Sequence, residues 1–93
     1  MKNEPRIEFT PLFTKQRKAA PLEVKQALLD TLELFLADPL NPFLRNHALK
    51  EKFAGFRSID VTEDVRAVFK EEQSGERKVI TFHLLGTHDE LYD

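Results

Sequence analysis

Four side chains in this sequence are suited to acid–base chemistry on a phosphodiester: His47, Asp64, Arg66 and His88. Breaking such a bond through a neighbouring hydroxyl requires a base for the hydroxyl proton and an acid for the leaving oxygen. It also requires a cation or donor that stabilises the negative charge built up around phosphorus. Imidazole, carboxylate and guanidinium groups supply these three functions without a metal. These four residues are therefore the candidate catalytic groups.

A second set of residues has the chemistry expected for holding RNA. Lys50, Lys52 and Arg57 can contact phosphates, and Tyr92 can stack on a base. The net charge of -2 conceals basic clusters: residues 1–20 carry five basic and two acidic side chains, and residues 43–57 carry four and one. Residues 60–76 are acidic, with six acids against two bases. Basic clusters of this kind indicate either a phosphate-binding surface or simply a solvated face.

Several classes of site are disfavoured by what the sequence lacks. Without cysteine there is no disulfide and no thiolate zinc site. The three glycines are isolated, so no phosphate-binding glycine loop is present, and the histidine spacing does not predict a metal site. We therefore expect no metal and no cofactor. The first residues contain no apolar leader and no run approaches membrane-spanning length, so we expect a soluble, cytoplasmic protein with no membrane contact.

Each candidate also has a purely structural interpretation. Thr87 and Glu90 have the spacing of a capping box, so His88 could simply begin a helix. Asp64 could cap a turn, Arg66 could be an exposed strand residue, and His83 could be a cross-strand partner. From residue types alone these alternatives stay open.

The first half of the chain predicts one strand followed by two helices. Residues 6–10 alternate in polarity, which predicts a strand with Ile7 and Phe9 facing the core. Thr10 then serves as an N-cap for a helix over residues 11–20. Pro21 begins a second helix that ends at residues 38–39. Its apolar stripe, interpreted as core, consists of Val24, Leu28, Leu29, Leu32, Phe35 and Leu36.

The second half predicts three strands. Residues 40–52 form an irregular basic connection, and residues 53–61 form a strand in which Gly55 marks a bulge or a close backbone approach. Residues 65–70 form its partner, residues 71–76 close a second hairpin, and residues 78–85 form the last strand. The predicted fold is a single α+β domain over residues 1–93, with an N-terminal strand, a two-helix hairpin and a three-stranded antiparallel meander. The helices would pack on one face of the sheet and leave the other face free.

Four sequence blocks together resemble a known family. They are residues 47–50 (His-Ala-Leu-Lys), 55–58 (Gly-Phe-Arg-Ser), 64–70 (Asp-Val-Arg-Ala-Val-Phe-Lys) and 85–92 (Leu-Gly-Thr-His-Asp-Glu-Leu-Tyr). In this order they resemble the RelE superfamily of bacterial toxins, with the YafQ-like branch as the nearest match. The resemblance spans most of the chain and implies the same RelE-like order of elements.

The resemblance also implies a function. It implies the toxin of a type II toxin–antitoxin pair, an endoribonuclease that cuts mRNA on the ribosome without a metal, leaving a 2′,3′-cyclic phosphate and a 5′-hydroxyl. His47 and His88 match the family's catalytic histidines and Asp64 its catalytic aspartate. Arg66 matches an arginine of other branches, and Tyr92 stands where the family has an aromatic residue. The implied partners are a cognate antitoxin and ribosome-bound mRNA, with operator DNA contacted through the antitoxin.

Two positions depart from the YafQ-like pattern. Leu84 stands where that branch has an arginine, and Asp60 stands where it has a further histidine. The chain is also slightly acidic, whereas such toxins are usually basic. These differences define two alternative functions: a weakened or inactive RelE-like module that mainly binds an antitoxin, or a ParE-like toxin that inhibits gyrase.

Overall fold

The computed structural model of the protein describes residues 4–92. In these residues a five-stranded sheet is covered by helices. The helices and strands are β1 (Arg6–Phe9), α1 (Pro11–Ala19), α2 (Leu22–Ala37), β2 (His47–Ala48), β3 (Arg57–Asp60), β4 (Val65–Ser74), β5 (Arg77–Thr87) and α3 (His88–Tyr92). Two 3-10 turns, Pro42–Leu44 and Glu51–Phe53, flank β2. The predicted α+β class and order of elements are confirmed, with β2 and α3 as additions.

The sheet has the strand order β1-β5-β4-β3-β2. Strands β3, β4 and β5 form the predicted antiparallel meander. The N-terminal strand β1 joins its far edge in parallel with β5, so the sheet is mixed and not purely antiparallel. Strand β2 adds a two-residue antiparallel pairing to β3 at the opposite edge.

The two predicted helices form close to their expected limits. Thr10 caps α1, because its hydroxyl accepts a hydrogen bond from the Phe13 N–H at 3.1 Å. Pro11 occupies the first helical turn, where its missing N–H costs nothing. Helix α2 ends at Asp38, the residue before a proline, as the sequence predicts.

A cluster of phenylalanines joins the helices to one face of the sheet. Phe13 from α1 and Phe35 from α2 contact Phe82 of β5, with ring centroids 5.6 and 5.7 Å apart. Phe35 also meets Phe69 of β4 at 5.1 Å. All four rings are almost completely buried. Their burial, and not intrinsic helix propensity, is the main stabilisation of the short helices.

The apolar stripe of α2 is narrower than predicted. Leu28 and Phe35 are buried, but Leu29 and Leu36 are 57% and 52% exposed, so their assignment to the core is wrong. They lie about a quarter turn or more from the buried residues on the helix circumference, beyond the reach of the sheet. Phe9 of β1 is likewise 38% exposed, although it stacks on Phe13.

The prediction for residues 40–61 needs correction. The connection over residues 40–52 is not wholly irregular, since it contains β2. The strand predicted over residues 53–61 begins only at Arg57, because Phe53 lies in a 3-10 turn and Gly55 has a φ of +94°. No atom lies within 4 Å of a Cβ built on Gly55, so the glycine serves this backbone conformation and not a bulge or a close approach.

The second hairpin is longer than predicted. Strand β4 continues to Ser74 and β5 begins at Arg77, which leaves a two-residue turn at Gly75 and Glu76 in place of the loop predicted over residues 71–76. A register shift between Val68 and Phe69 bends the hairpin. The backbone of β5 beyond this point is tied to α1: the Leu85 N–H donates to the Gln16 side chain at 2.7 Å.

The free face of the sheet follows from the strand register. Ile59, Ala67 and Leu85 are register partners that point into the helix-covered core. Their neighbours alternate to the other side, since successive side chains of a strand point to opposite faces. That side carries His47, Ser58, Asp60, Arg66, Val68 and Leu84. No helix within residues 4–92 combines the length and apolar character that crossing a membrane requires.

Candidate functional site

A cleft of about 210 Å³ lies on the free face of the sheet. Five elements meet there: β2, the 3-10 turn after it, β3, β4 and α3. The lining residues are His47, Leu49, Lys50, Phe53, Ser58, Arg66, His88 and Tyr92. The cleft therefore brings together three of the four predicted catalytic residues and two of the four predicted RNA-binding residues.

His47 is fixed in one tautomer by its own loop. Its Nδ1 lies 2.8 Å from the carbonyl oxygen of Arg45, and because a carbonyl can only accept, Nδ1 carries the proton. In the neutral ring Nε2 is then an unprotonated acceptor. Arg45 has a left-handed backbone conformation, with φ 47°, and its carbonyl oxygen points toward His47. Such a conformation is strained for arginine.

Asp60 holds two arginines beside the cleft. Its Oδ2 lies 2.9 Å from the Nε of Arg45, and its Oδ1 lies 3.0 Å from the Nε of Arg66. The Asp60 side chain is only 12% exposed and that of Arg66 19%, so water screens their ion pair weakly, whereas Arg45 is 73% exposed and its pair is open to solvent. Arg45 thus connects His47, through its carbonyl, to Arg66, through Asp60.

Several protein groups hold the guanidinium of Arg66 in place. Besides the Nε contact with Asp60, its Nη1 donates to the carbonyls of Thr62, Glu63 and Val65 at 2.9–3.3 Å. Arg66 also lines the cleft, so this rigidly held side chain places a positive charge beside it.

His88 opens α3 at the end of β5. Thr87 and Glu90 form the predicted capping box: the Thr87 N–H donates to Glu90 Oε1 at 2.7 Å, and the Glu90 N–H donates to Thr87 Oγ1 at 3.2 Å. These hydrogen bonds with Thr87 lower the pKa of Glu90. The His88 N–H donates to the carbonyl of Asp64 at 3.2 Å, which ties α3 to the start of β4.

Tyr92 forms one wall of the cleft. Its ring meets the edge of His88 at 4.7 Å and of Phe53 at 5.4 Å. Its hydroxyl lies 3.5 Å from the Oγ of Ser58, at the limit of a hydrogen bond. Tyr92 is therefore held against the catalytic candidates, close to His88, and is half-buried.

Asp64 lies beside the cleft and not in it. It lines an adjoining depression of about 280 Å³ together with Glu63, Arg66, Thr87, His88 and Asp89. Arg66 and His88 border both spaces, so Asp64 lies next to the same two residues on the other side. Its observed contact with His88 is through the backbone carbonyl.

The predicted RNA-binding cations separate in the structure. Lys50 lines the cleft. Lys52 lines a different depression, where its Nζ lies 5.6 Å from the ring centre of Phe53. Arg57 borders none of these spaces and donates from Nε to the Asn46 side chain at 2.8 Å, which braces the loop before β2.

Several residues that shape the site were not identified from the sequence. Leu49, Phe53 and Ser58 line the cleft, and Arg45 and Asp60 hold its basic residues. Two apolar side chains within a basic connection were the available signal for Leu49 and Phe53. The role of Asp60 depends on pairing with Arg66 across two strands, which no local pattern reveals. Within residues 4–92, no cluster of three or more histidine or acidic side chains is arranged to hold a metal ion.

Comparison with solved structures shows what the fold is similar to. YafQ from E. coli strain BL21(DE3) superimposes with a TM-score of 0.77 at 24% identity, covering 96% of this chain and 99% of YafQ. A YoeB/ParE toxin from Agrobacterium tumefaciens gives a TM-score of 0.72 at 16% identity, with 89% and 98% covered. In the E. coli DinJ–YafQ complex the matching chain gives 0.66 at 26% identity, with 96% and 99% covered.

No protein-family model and no curated protein matches the chain. The solved structures nevertheless cover nearly all of it and nearly all of their own length. The resemblance to RelE/ParE-superfamily toxins indicated by the sequence blocks is therefore confirmed by the fold, which is shared with YafQ and YoeB/ParE toxins.

Proposed function

We propose that this protein is the toxin of a type II toxin–antitoxin pair, a metal-free endoribonuclease that cuts mRNA on the ribosome. The observation that carries the proposal is the cleft in which His47, Arg66, His88 and Tyr92 meet. The fold shared with YafQ supports it. Residues 1–93 act as one catalytic domain.

In the proposed reaction the RNA supplies its own nucleophile. A base removes the 2′-hydroxyl proton, and the 2′-oxygen attacks the adjacent phosphorus. The bond from phosphorus to the 5′-oxygen breaks, and an acid gives that oxygen a proton. The products are a 2′,3′-cyclic phosphate and a 5′-hydroxyl, and no water, metal or cofactor is consumed.

The two histidines divide the proton transfers. The hydrogen bond from His47 Nδ1 to the Arg45 carbonyl leaves Nε2 of the neutral ring as an acceptor, which suits the base. His88, on the C-terminal side of the cleft, is then the acid that protonates the leaving oxygen. Asp64 lines the adjoining depression together with His88 and Arg66, and in the proposed reaction its carboxylate assists His88 from there.

Arg66 supplies the cation at the phosphorus. Asp60 and three backbone carbonyls hold its guanidinium in place at the cleft, and preorganised donors of this kind contribute about 3–4 kcal/mol to transition-state stabilisation. Leu84 does not line this cleft but a neighbouring depression. Leu84 stands where the YafQ-like branch has an arginine. In this proposal Arg66 takes over the role of that arginine. Lys50 at the cleft contacts the RNA backbone.

The proposed partners follow from the related complexes. YafQ has been solved in complex with DinJ as a toxin–antitoxin pair. We expect a cognate antitoxin to bind this chain, and the pair to contact its operator DNA through the antitoxin. Acting on translating ribosomes places the protein in the cytoplasm.

The test combines cell growth with direct mapping of RNA ends. Induced expression in bacteria should arrest growth, and purified protein added to a reconstituted translation system should cut mRNA to 5′-hydroxyl ends. His88→Ala and Asp64→Asn should reduce the cutting, while Asp64→Asn leaves the backbone bond to His88 intact. Asp30→Asn makes the same change on the exposed face of α2 and should cut like the wild type.

Growth arrest and cutting that persist unchanged in both His88→Ala and Asp64→Asn would refute the acid–base assignment.

A second candidate function is a weakened module that mainly binds an antitoxin. The observation that favours it is the Asp60 carboxylate, which neutralises much of the Arg66 charge at 3.0 Å. A folded wild-type protein that co-purifies with an antitoxin but neither arrests growth nor cuts mRNA would establish this second function.

A further inference from the structure

A depression of about 320 Å³ lies next to the catalytic cleft and is separated from it by Phe53. This volume is at the lower end of the range of small-ligand pockets, roughly 300–1,000 Å³. Its lining residues are Thr10, Leu12, Lys52, Phe53, Phe56, His83 and Leu84. None of them has a role in the proposed reaction, so the depression requires a separate explanation.

Two phenylalanine rings line this depression, and a lysine ammonium lies over one face of each; Lys52 also lines the depression, whereas Lys70 lies outside its lining. The Lys52 Nζ lies 5.6 Å from the centre of the Phe53 ring, and the Lys70 Nζ lies 5.5 Å from the centre of the Phe56 ring. Both rings are only half-buried. Ring faces that stack on bases, next to cations that neutralise phosphates, are the combination by which proteins hold single-stranded nucleic acid.

His83 adds a polar group with free hydrogen-bonding capacity. Its ring meets Phe56 edge-on at 5.0 Å, and within residues 4–92 its ring nitrogens have no hydrogen-bond partner. Burial, and secondarily the nearby Lys70 charge, lower the pKa of His83. The ring is thus neutral at physiological pH and offers one N–H donor and one nitrogen acceptor.

Leu84 makes the wall of the depression apolar. It is half-buried and carries no charge, so it offers a phosphate no charge-assisted hydrogen bond. The depression therefore has stacking surfaces, an apolar wall and one donor–acceptor pair, with the lysines at its margin. A flat heteroaromatic ring with polar edges fits this chemistry better than a phosphate does.

We propose that the depression of Phe53, Phe56, His83 and Leu84 binds a nucleobase of the RNA that flanks the nucleotide being cut. The inference rests on the proposed function, because the RNA passes from the catalytic cleft over Phe53. Lys52 and Lys70 contact the phosphates on either side of the bound base. The His83 ring forms hydrogen bonds with the edge of the base. The apolar Leu84 side chain favours a base over a phosphate in the depression.

Binding is measured with a single-stranded RNA oligonucleotide made resistant to cleavage by 2′-O-methyl groups, by fluorescence anisotropy on the full chain. Loss of a base–aromatic stack weakens binding by about 5- to 160-fold. Phe56→Leu keeps an apolar side chain and removes the ring, so we expect a loss at the lower end of that range. Phe43→Leu, at an exposed phenylalanine outside the depression, is the matched control and should bind like the wild type.

Leu84→Arg tests the character of the wall. We expect RNA binding to become more salt-dependent, with the slope of log K against log salt steeper by about 0.7 for one added phosphate contact. The base preference at the position flanking the cut, read from mapped RNA ends, should weaken in Leu84→Arg and in His83→Gln. Leu36→Arg adds the same charge to the exposed face of α2 and should change neither quantity.

The outcomes separate this inference from the proposed function. A wild type that cuts mRNA, with Phe56→Leu, His83→Gln and Leu84→Arg retaining its affinity and base preference while folded, would overturn the nucleobase site alone. A wild type that binds the oligonucleotide but never cuts, with Phe56→Leu weakened, would support the site and reject the catalytic function. Wild-type protein that does not bind the oligonucleotide at all would overturn the inference.

Discussion

The two sides of the candidate catalytic cleft are built in different ways. His88 lies on the C-terminal side, at the end of the eleven-residue strand β5 and within a capping box of neighbouring residues. His47 lies on the loop side, on a two-residue strand between two 3-10 turns. One histidine is positioned mainly by local sequence, and the other by contacts from distant parts of the chain.

The loop side stores strain that other contacts must offset. Arg45 and Glu51 have φ values of 47° and 56°, a left-handed conformation that costs non-glycine residues roughly 1–2 kcal/mol each. Asn46 holds the loop by donating to the Pro39 carbonyl at 3.0 Å and by accepting from Arg57 Nε at 2.8 Å. The Arg45–Asp60 pair adds a further contact. The comparison indicates that long-range polar contacts, and not local propensity, fix the loop side.

The largest expected effect comes from removing either imidazole. His47→Gln and His88→Gln should each lower the rate of mRNA cutting by about 10²–10⁴-fold, because each removes one proton-transfer group. The rate is measured with purified protein in a reconstituted translation system, at saturating enzyme. If only one of the two changes reduced the rate, the division of roles between the two sides would be wrong.

Asp60→Asn should have the next largest effect, which is a loss of stability. The substitution affects the loop side of the cleft, because Asp60 pairs there with Arg45. The change leaves two guanidinium groups without their carboxylate in a site where Asp60 is 12% and Arg66 is 19% exposed. Hydrogen bonds to charged groups contribute about 1.5–3 kcal/mol, so we expect urea unfolding to show a loss of about that size.

A matched control for Asp60→Asn is Glu71→Gln. Glu71 pairs with Lys78 at 3.9 Å near the exposed end of the second hairpin. Surface ion pairs contribute about 0–1 kcal/mol, so this variant should unfold almost like the wild type. Equal losses in the two variants would show that Asp60 is no more than a surface residue.

Gly86→Ala should disturb the C-terminal side alone. A Cβ at Gly86 would lie 3.1 Å from Glu90 Oε1 and 3.2 Å from Leu91 Cδ2. Both neighbours are side-chain ends that can shift, so we expect a loss of about 1 kcal/mol and a displaced α3. Hydrogen exchange should accelerate at the α3 amides and stay unchanged around His47. Unchanged protection of α3 would mean that the close packing at Gly86 is not required.

The smallest expected effect is a pH dependence of α3. The hydrogen bonds from Thr87 lower the pKa of Glu90 in the folded protein, so the capping box stabilises α3 above the ordinary glutamate value of 4.5. This contribution is lost as the pH falls through the lowered pKa. The protection factors of the α3 amides, which correct for the pH dependence of intrinsic exchange, should therefore fall from pH 6 downward in the wild type, with a smaller change in Glu90→Gln. The same fall in protection in both proteins would exclude Glu90 as the cause.

The sequence was sufficient for the elements that depend on neighbouring residues. Thr10 and Pro11 mark the start of α1, and Asp38, which precedes a proline, marks the end of α2. Thr87 and Glu90 have the capping-box spacing that is found at the start of α3. These features are formed by side chains and backbone groups within four residues of each other, so local pattern determines them. The three-stranded meander followed from alternation and turns.

The sequence alone also named most of the residues that meet in the cleft, since their chemistry and the family resemblance selected His47, Arg66, His88 and Tyr92. Their assembly depends on the tertiary structure. Strand β1 joins β5 in parallel, and Asp60 meets Arg66 across β3 and β4. Such pairings depend on register between distant segments, where one residue of slippage would turn every side chain to the other face.

The C-terminal end of β5 shows both contributions. The capping-box spacing of Thr87 and Glu90 offered a helix beginning at His88 as one of two interpretations, and the structure shows that helix. Only the tertiary structure decided that Leu84 and His83 face a separate depression beside the cleft, because the register shift at Val68 and Phe69 and the fold of Phe53 and Phe56 over the sheet define that space. Packing between segments distant in the sequence, and not residue type, thus divides the candidate catalytic cleft from its neighbour.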